Sequence, residues 1–140
     1  MYANKREAER RGMLRVELPV GNKIVNFVTT HLDYQYADGR LFEAEQMLSF
    51  LDGVNGPIIL VGDLNDEPVG SAYKLITVKF HDAWSDGIKT DGLSYPADKP
   101  VKRIDYIFYR KDDAVRPRKS WVVDTEASDH RPVMSELEIR

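Results

Sequence analysis

Ile58-Ile59-Leu60-Val61-Gly62-Asp63-Leu64-Asn65 is the stretch of this 140-residue chain that decides its fold. The apolar run at 58–61 is typical of a strand that is covered on both faces. Gly62-Asp63 ends the run abruptly, which places a carboxylate at the end of a buried strand. Because alternate residues of an extended chain point to the same side, we expect Asp63 and Asn65 to face one small site. The alternative is a turn in which both side chains bond their own backbone.

Strand and helix signals lie upstream of this stretch. Residues 13–18 alternate apolar with polar, residues 19–23 have turn chemistry, and residues 24–31 have the pattern of a second strand, so together they predict a hairpin. Asp38 is placed to cap a helix that ends before Gly53. The predicted apolar stripe of that helix consists of Leu41, Phe42, Met47, Leu48 and Leu51.

Downstream, the pattern predicts one short helix and three strands. The helix covers residues 71–76, and a packed segment at 80–84 and a Gly- and Asp-rich loop at 85–92 follow it. The strands cover residues 103–109, 121–123 and 133–139, with Asp105 and Ile107 on one face of the first and Ile104, Tyr106 and Phe108 on the other. Since no Gly-, Ser- or Pro-rich linker divides these pieces, we predict a single domain or part of one.

The composition is that of a globular domain without an electrostatic footprint for nucleic acid. The chain is 42% hydrophobic and 31% charged, with a net charge of −3. This charge does not exclude a nuclease, because bound cations can supply the positive charge that a phosphate substrate needs. The absence of cysteine excludes a disulfide framework, a thiolate nucleophile and a zinc-thiolate site. No membrane-spanning run or secretory signal is apparent, and the compartment stays unassigned.

Polar residues at three further positions lie within or at the ends of predicted strands. His31 could, as an imidazolium, stabilise charge on a phosphoryl oxygen, although a lone histidine there is more often structural. Asp105 lies inside an apolar strand, where an unpaired carboxylate is costly, so we expect a cationic partner. His130 needs a carboxylate to orient its ring. Asp105 is the better candidate for this carboxylate, because the neighbouring Asp129 points to the opposite face. The alternative is that Asp105 pairs with Arg103 or lies at a sheet edge.

Four motifs of this chain occur in the order found in a known superfamily. They are Thr30-His31-Leu32-Asp33, Gly62-Asp63-Leu64-Asn65, Arg103-Ile104-Asp105-Tyr106-Ile107 and Ser128-Asp129-His130-Arg131-Pro132-Val133. Together they resemble the consecutive motifs of the endonuclease/exonuclease/phosphatase superfamily, and the match spans residues 13–139. That superfamily includes pancreatic-type deoxyribonucleases, apurinic/apyrimidinic endonucleases, neutral sphingomyelinases, inositol polyphosphate phosphatases and deadenylases.

The resemblance implies a role for each matched position. His130 would be the catalytic histidine, paired with Asp105, and His31 would contact the scissile phosphate. Asp63 would orient or deprotonate the attacking water, and whether Asp63 or the His130–Asp105 pair is the base stays open. The implied ligands of a Mg²⁺ or Mn²⁺ ion are Asp63, Asn65 and Asp129. Whether Asn65 contacts the metal or the phosphate stays open, and Asp129 would lie at the metal and phosphate end of the site. The implied activity is that of a metal-dependent phosphoester hydrolase, in which water attacks phosphorus.

The chain departs from the superfamily pattern at its start. Members normally begin with a strand carrying an Asn and then a Glu that binds the principal metal. Glu7 and Glu9 are not convincing substitutes, because residues 1–12 are a charged run that we interpret as a solvated lead-in. The resemblance implies an α+β fold in which residues 13–140 are the C-terminal half of a four-layer α/β/β/α sandwich, with a mostly antiparallel sheet flanked by helices.

Such a half would expose the inner face of a sheet. We therefore expect the chain to form a homo-oligomer or to bind a missing N-terminal half, and to show little hydrolysis alone. The alternative is a catalytically inactive fragment or an interaction module that keeps the fold. The substrate would be a phosphoester of nucleic acid, a lipid headgroup or a sugar phosphate. The loops between the motifs would select it, and the candidate loops are 33–39, with Tyr34 and Tyr36, and 85–102, with Tyr95. Rings there could stack on a base or sugar, although exposed loop tyrosines are common.

Overall fold

The computed structural model describes residues 9–84 and 91–140. Along these ranges the chain forms β1 (Met13–Val20), β2 (Lys23–His31), α1 (Ala37–Leu51), β3 (Ile58–Asp63), α2 (Ser71–Lys79), β4 (Phe80–Asp82), β5 (Asp105–Arg110), β6 (Val115–Val122) and β7 (Val133–Ile139). Residues 1–8 of the predicted lead-in and residues 85–90 of the predicted loop lie outside the described residues. Within the described ranges, neither helix is long and apolar enough to cross a membrane.

Sheet topology brings the predicted site residues to one edge. Five strands form a mixed sheet in the order β1-β2-β3-β5-β4, and β6 and β7 form a separate pair. β2 and β3 are parallel, whereas the other neighbouring strands are antiparallel. Because parallel strands end at the same edge, His31 lies opposite Asp63, and antiparallel β5 begins with Asp105 opposite Asp63 on its other side. Three polar residues far apart in sequence thus become neighbours.

The two faces of the five-stranded sheet carry different layers. One face packs against α1 and α2 in the larger buried cluster, whose members include Val28, Met47, Leu60, Ile76 and Phe108. The other face packs against the β6-β7 pair in a second cluster, whose members include Phe27, Val61, Ile107, Leu137 and Ile139. The predicted alternation of β5 agrees with this arrangement, because Phe108 lies in the first cluster and Ile107 in the second.

The β6-β7 pair leaves part of the second face uncovered. Four alternating residues of β1 are exposed there, namely Leu14, Val16, Leu18 and Val20. Val16 pairs with Phe27 and Leu18 with Val25 across the β1-β2 ladder, and residues that are directly opposite share a face. Beside them an apolar groove of about 720 Å³ runs between the two sheets. Within the part of the chain that the structure describes, an apolar sheet face is therefore open, and we name it the β1 face.

The predicted helix cap is wrong. The N-cap of α1 is Tyr36, which makes no side-chain cap bond, and Asp38 lies inside the first turn. The nearby backbone is instead held by Asp33, whose Oδ1 accepts the amide hydrogens of Gln35 at 2.6 Å and Tyr36 at 3.0 Å. Asp38 still carries a charge that favours the helix N-terminus, but the turn before the helix is organised by the end of the His31 motif.

Several predicted boundaries also differ from the observed ones. β6 begins at Val115, six residues before the predicted start at 121, because Pro117 and its charged neighbours resemble a loop. Pro117 lies at a register shift of the β6-β7 ladder, where a missing amide hydrogen is tolerated. α2 continues to Lys79, and β5 begins at Asp105 rather than at 103. β4 is a strand where only a packed segment was predicted, and the order of the other elements is unchanged.

Candidate active site

A pocket of about 660 Å³ opens at the sheet edge where β2 and β3 end and β5 begins. Five of the six predicted site residues line it, namely His31, Asp63, Asn65, Asp129 and His130. The sixth, Asp105, lines the adjoining groove and reaches the pocket through its bond to His130. The structure therefore brings all six together, although they span 100 positions from His31 to His130.

His130 and Asp105 form a hydrogen-bonded pair. The Nδ1 atom of His130 lies 2.8 Å from the Oδ2 atom of Asp105. Since a carboxylate can only accept, Nδ1 carries the proton and Nε2 is directed toward the pocket side of the ring. Burial by itself lowers the pKa of His130, but the hydrogen bond and charge of Asp105, together with the charge of Asp63, raise it overall. Arg103, the alternative partner of Asp105, pairs with Asp82 at 2.5 Å instead.

Asp63 has one oxygen held by the backbone and one directed at two histidines. Its Oδ1 accepts the amide hydrogen of Asn65 at 2.7 Å. Its Oδ2 lies 3.3 Å from Nε2 of His31 and 3.9 Å from Nε2 of His130. Burial raises the pKa of Asp63, the Asn65 hydrogen bond opposes that effect, and the negative charge of Asp105 adds to it. The backbone-bonded turn and the shared site, which the sequence presents as alternatives, therefore coexist in this residue.

Asn65 ties the end of β3 to the end of β2. Its Nδ2 donates to the carbonyl oxygen of Leu32 at 3.0 Å. Its backbone has a φ of 49°, a left-handed conformation that asparagine tolerates better than most residues. The bond to Leu32 uses one of the two amide hydrogens, so Asn65 can offer its amide oxygen and its second amide hydrogen to a ligand.

Asp129 and His31 occupy the exposed rim of the pocket. The Oδ1 atom of Asp129 accepts the hydroxyl of Ser128 at 3.1 Å, and its backbone oxygen accepts the amide hydrogen of Ala97 at 2.8 Å. His31 contacts Asp63 and is otherwise about half exposed. Both side chains are therefore accessible to a molecule that enters from solvent.

Two residues beside the His130–Asp105 pair were missed or only partly recognised from sequence. Ser94 donates its hydroxyl to Oδ2 of Asp105 at 2.6 Å. The ring of Tyr95, expected only as a substrate contact, lies 4.7 Å from the imidazole of His130, centroid to centroid. Their loop has no periodic pattern, so no sequence signal connects it with the strand that begins at Asp105.

Two buried carboxylates that were also missed support the loops around the pocket. Oδ2 of Asp66 accepts the amide hydrogens of Ala72 and Tyr73 at 2.9 and 3.2 Å, which caps α2. Oε2 of Glu43 accepts the amide hydrogen of Asp33 at 2.8 Å, and burial raises the pKa of Glu43. Glu43 lies beside the predicted apolar stripe of α1, so its burial contradicts a simple amphipathic pattern for that helix.

Arg11 joins the pocket wall from the segment that was interpreted as a solvated lead-in. Its side chain is 12% exposed, and its Nη2 forms an ion pair of 2.8 Å with Glu9. Its guanidinium lies 5.9 Å from the centroid of the Tyr34 ring. At this position the chain contributes a cation to the pocket instead of a solvated side chain.

The donor set around the pocket fits a hard divalent cation. Donor atoms of Asp63, Asp105 and His130 all lie within 4.8 Å of one another. Asp105 and His130 already bond each other, however, so they are less free than Asp63 to bind an ion. With Asn65 and Asp129, which line the same pocket, Asp63 offers oxygen ligands of the kind that Mg²⁺ prefers, and Mg²⁺ normally keeps several waters or phosphate oxygens as its remaining ligands.

Comparison with known proteins identifies relatives by sequence pattern and by fold. Residues 6–130 match the model of the Endonuclease/Exonuclease/phosphatase family. No curated protein sequence matches the chain. An endonuclease/exonuclease/phosphatase from Bacteroides vulgatus is 24% identical, with a TM-score of 0.72 over 86% of this chain and 51% of that chain.

Two further solved structures have the same fold. The mannosyl-6-phosphatase Bt3783 of Bacteroides thetaiotaomicron is 22% identical, with a TM-score of 0.67 over 85% of this chain and 53% of its own. The human Nocturnin catalytic domain is 19% identical, with a TM-score of 0.71 over 91% of this chain and 52% of its own. The chain thus spans about half the length of these structures.

Proposed function

Because the chain belongs to the Endonuclease/Exonuclease/phosphatase family, we propose that it supplies the water-activating and phosphate-contacting part of a metal-dependent phosphoester hydrolase. The observation that carries the proposal is the continuous set of contacts from His31 through Asp63 to His130 and Asp105. This set ends in a solvent-open pocket. It combines a carboxylate and an oriented imidazole, which can exchange a proton with water, and a second histidine, which can stabilise charge on a phosphoryl oxygen.

The proposed roles follow from the atoms that face the pocket. His130 uses Nδ1 to bind Asp105, so Nε2 is the atom that can exchange a proton with water or with a leaving group. A water bound to both Nε2 of His130 and Oδ2 of Asp63 would be oriented for attack on phosphorus, and either group can serve as the base. His31, on the rim, contacts a phosphoryl oxygen and stabilises the charge that develops there.

The proposed cofactor is Mg²⁺, with Mn²⁺ as a substitute, held by Asp63, Asn65 and Asp129. When bound, such an ion neutralises charge on the phosphoryl and leaving oxygens. The protein residues orient the water, hold the phosphate and move the proton. A phosphoester of nucleic acid, a lipid headgroup or a sugar phosphate is the proposed substrate class.

Metal binding provides a direct test on the chain itself. Titration of an isotope-labelled chain with Mn²⁺ should broaden the backbone amide NMR signals of residues near Asp63 and Asp129, because the ion is paramagnetic. Asp63→Asn should weaken the apparent affinity at least about tenfold, since even residues that only orient metal ligands commonly have effects of that size. Asp112→Asn, at an exposed carboxylate that does not line the pocket, is the matched control. Equal affinity in both variants would refute the assigned ligand.

We further propose that residues 13–140 form the C-terminal half of a four-layer α/β/β/α sandwich. The chain spans about half of the matched structures, and the β1 face is open and apolar. A second sheet with its own helix layer, supplied by another segment or another chain, would cover that face and add the metal-binding Glu. An interaction module without catalysis is the second candidate, because the open β1 face is what such a module would use.

The open face leads to a prediction for the isolated chain. At increasing concentration its mass by size-exclusion chromatography with light scattering should rise above the 16.1 kDa of one chain, because association removes the β1 face from water. Leu18→Lys places a charge on this face and should restore the monomer. Val78→Lys, on an exposed position of α2, is the control and should leave the association unchanged. A wild-type chain that stays monomeric at all concentrations would contradict the proposal.

A further inference from the structure

One short loop segment contacts both members of the His130–Asp105 pair. We infer that residues 94–97 form a cradle that sets the orientation of this pair, with Ser94 as its positioning residue. The effect of the cradle on catalysis rests on the function proposed above. Its effect on the orientation of the pair does not, because that effect depends only on contacts within the chain.

Backbone bonds attach the cradle to both neighbours of His130. The amide hydrogen of Ala97 is donated to the carbonyl oxygen of Asp129, and the amide hydrogen of Arg131 is donated to the carbonyl oxygen of Ser94, each at 2.8 Å. The Nε atom of Arg131 adds a third bond, to the carbonyl oxygen of Ala97 at 2.6 Å. The backbone on either side of the histidine is therefore held against the cradle, although His130 lies in a segment without helix or strand.

Side chains of the cradle act on the two members of the pair separately. The Ser94 hydroxyl donates to Oδ2 of Asp105 at 2.6 Å, and the same oxygen accepts from His130 Nδ1 at 2.8 Å. A hydroxyl has one hydrogen to donate, so Ser94 commits it to Asp105. Two donors on one oxygen fix the rotation of the carboxylate. The Tyr95 ring packs beside the imidazole and limits its tilt.

The cradle is itself anchored to the strand side of the pocket. Tyr95 and Lys102 form an isolated antiparallel bridge in which each amide hydrogen is donated to the other's carbonyl oxygen, at 3.1 and 2.9 Å. The Ser94 amide hydrogen is also donated to the Lys102 carbonyl oxygen at 2.9 Å. Lys102 lies three residues before Asp105, so the cradle and the carboxylate it orients share a short, fixed connection. Ser94 is fully buried, at 0% exposure, which excludes water as a ready replacement for its hydroxyl.

NMR of the chain without substrate tests the inference. The Nδ1 proton of His130 should give a downfield, slowly exchanging signal in the wild type, because it is shared with an oriented carboxylate. Ser94→Ala should broaden or remove this signal, while Ser94→Thr, which keeps the hydroxyl, should restore it. Ser120→Ala removes another buried hydroxyl, one bonded to the carbonyl oxygen of Ala83, and should leave the signal unchanged.

Each outcome decides the inference. A folded Ser94→Ala chain with an unchanged His130 signal would overturn the inference. Equal loss of the signal in Ser94→Ala and Ser94→Thr would also overturn it, because the volume of the side chain would then matter rather than its hydroxyl. If Ser94→Ala does not fold, Ser94→Cys replaces it, since a thiol of similar size is only a weak donor and should weaken the signal.

Kinetics separates this inference from the proposed function. In a hydrolytically active preparation, Ser94→Ala should lower kcat about tenfold to a hundredfold with KM nearly unchanged, as is typical for partners that orient a reacting group. An unchanged kcat would overturn the catalytic meaning of the cradle. Absence of hydrolysis in a wild-type preparation whose β1 face is covered, together with the expected NMR pattern, would count against the proposed function and leave the positioning role of Ser94 supported.

Discussion

Replacing His130 with alanine should lower phosphoester hydrolysis by about 100- to 10,000-fold, the range for loss of a positioned acid or base. The imidazole is bound to a carboxylate through Nδ1, and its Nε2 lies 3.9 Å from Oδ2 of Asp63. Its removal leaves Asp105 without its imidazole partner and leaves any water at Asp63 with one contact fewer. We expect kcat to fall far more than KM rises, because the phosphate contact proposed for His31 stays in place.

His81→Ala is the matched control for this experiment. His81 is an exposed histidine of β4, and its ring lies against Tyr109, with the centroids 5.2 Å apart, outside the pocket. Both variants should be measured with bis-p-nitrophenyl phosphate and Mg²⁺, in the chain alone and in a preparation completed by a segment that covers the β1 face. His81→Ala should retain the wild-type rate. Equal rates for His130→Ala and the wild type, in a preparation that turns over, would refute the role assigned to His130.

The site residues were predictable where they coincide with the ends of apolar runs. Asp63 and Asp105 interrupt or end strands that are otherwise apolar, and a carboxylate in such a place requires a partner. That requirement, together with the opposite faces of Asp129 and His130, predicted the His130–Asp105 pair. The structure has Nδ1 of His130 at 2.8 Å from Oδ2 of Asp105. Sheet register then completes the arrangement, because parallel β2 and antiparallel β5 both meet β3 at Asp63.

The supporting residues were not predictable, because their contacts have no period. Ser94 acts through a loop, Glu43 is a buried carboxylate in a helix whose pattern looks simply amphipathic, and Arg11 lies in a charged run that looks solvated. Each depends on what the fold places opposite it rather than on its sequence neighbours. The same reason explains the missed start of β6, where Pro117 is accommodated by a ladder irregularity that only the paired strand reveals.

From sequence, Gly62 was expected to end the apolar run together with Asp63, and the structure assigns it a different constraint. β3 continues through Gly62 to Asp63, and Gly62 pairs with Thr30 of the parallel strand β2. Its φ is +149°, a region that residues with a side chain rarely adopt. A Cβ atom at this position would lie 1.9 Å from the carbonyl oxygen of Thr30. The glycine therefore permits the close approach of two backbones next to the site.

Gly62→Ala should consequently lower the free energy of unfolding by on the order of 3 to 5 kcal/mol, which combines backbone strain with overpacking against a backbone atom that cannot rotate away. Chemical denaturation at matched protein concentration measures this decrease in the free energy of unfolding. A variant that is unfolded even without denaturant would also agree with the prediction, because the decrease would then exceed the stability of the chain. Gly53→Ala, where a Cβ meets nothing within 4 Å, should change the free energy by less than about 1 kcal/mol. A Gly62→Ala chain as stable as Gly53→Ala would show that β2 and β3 can separate at Thr30 without cost, and the geometry that places His31 beside Asp63 would then lose its support.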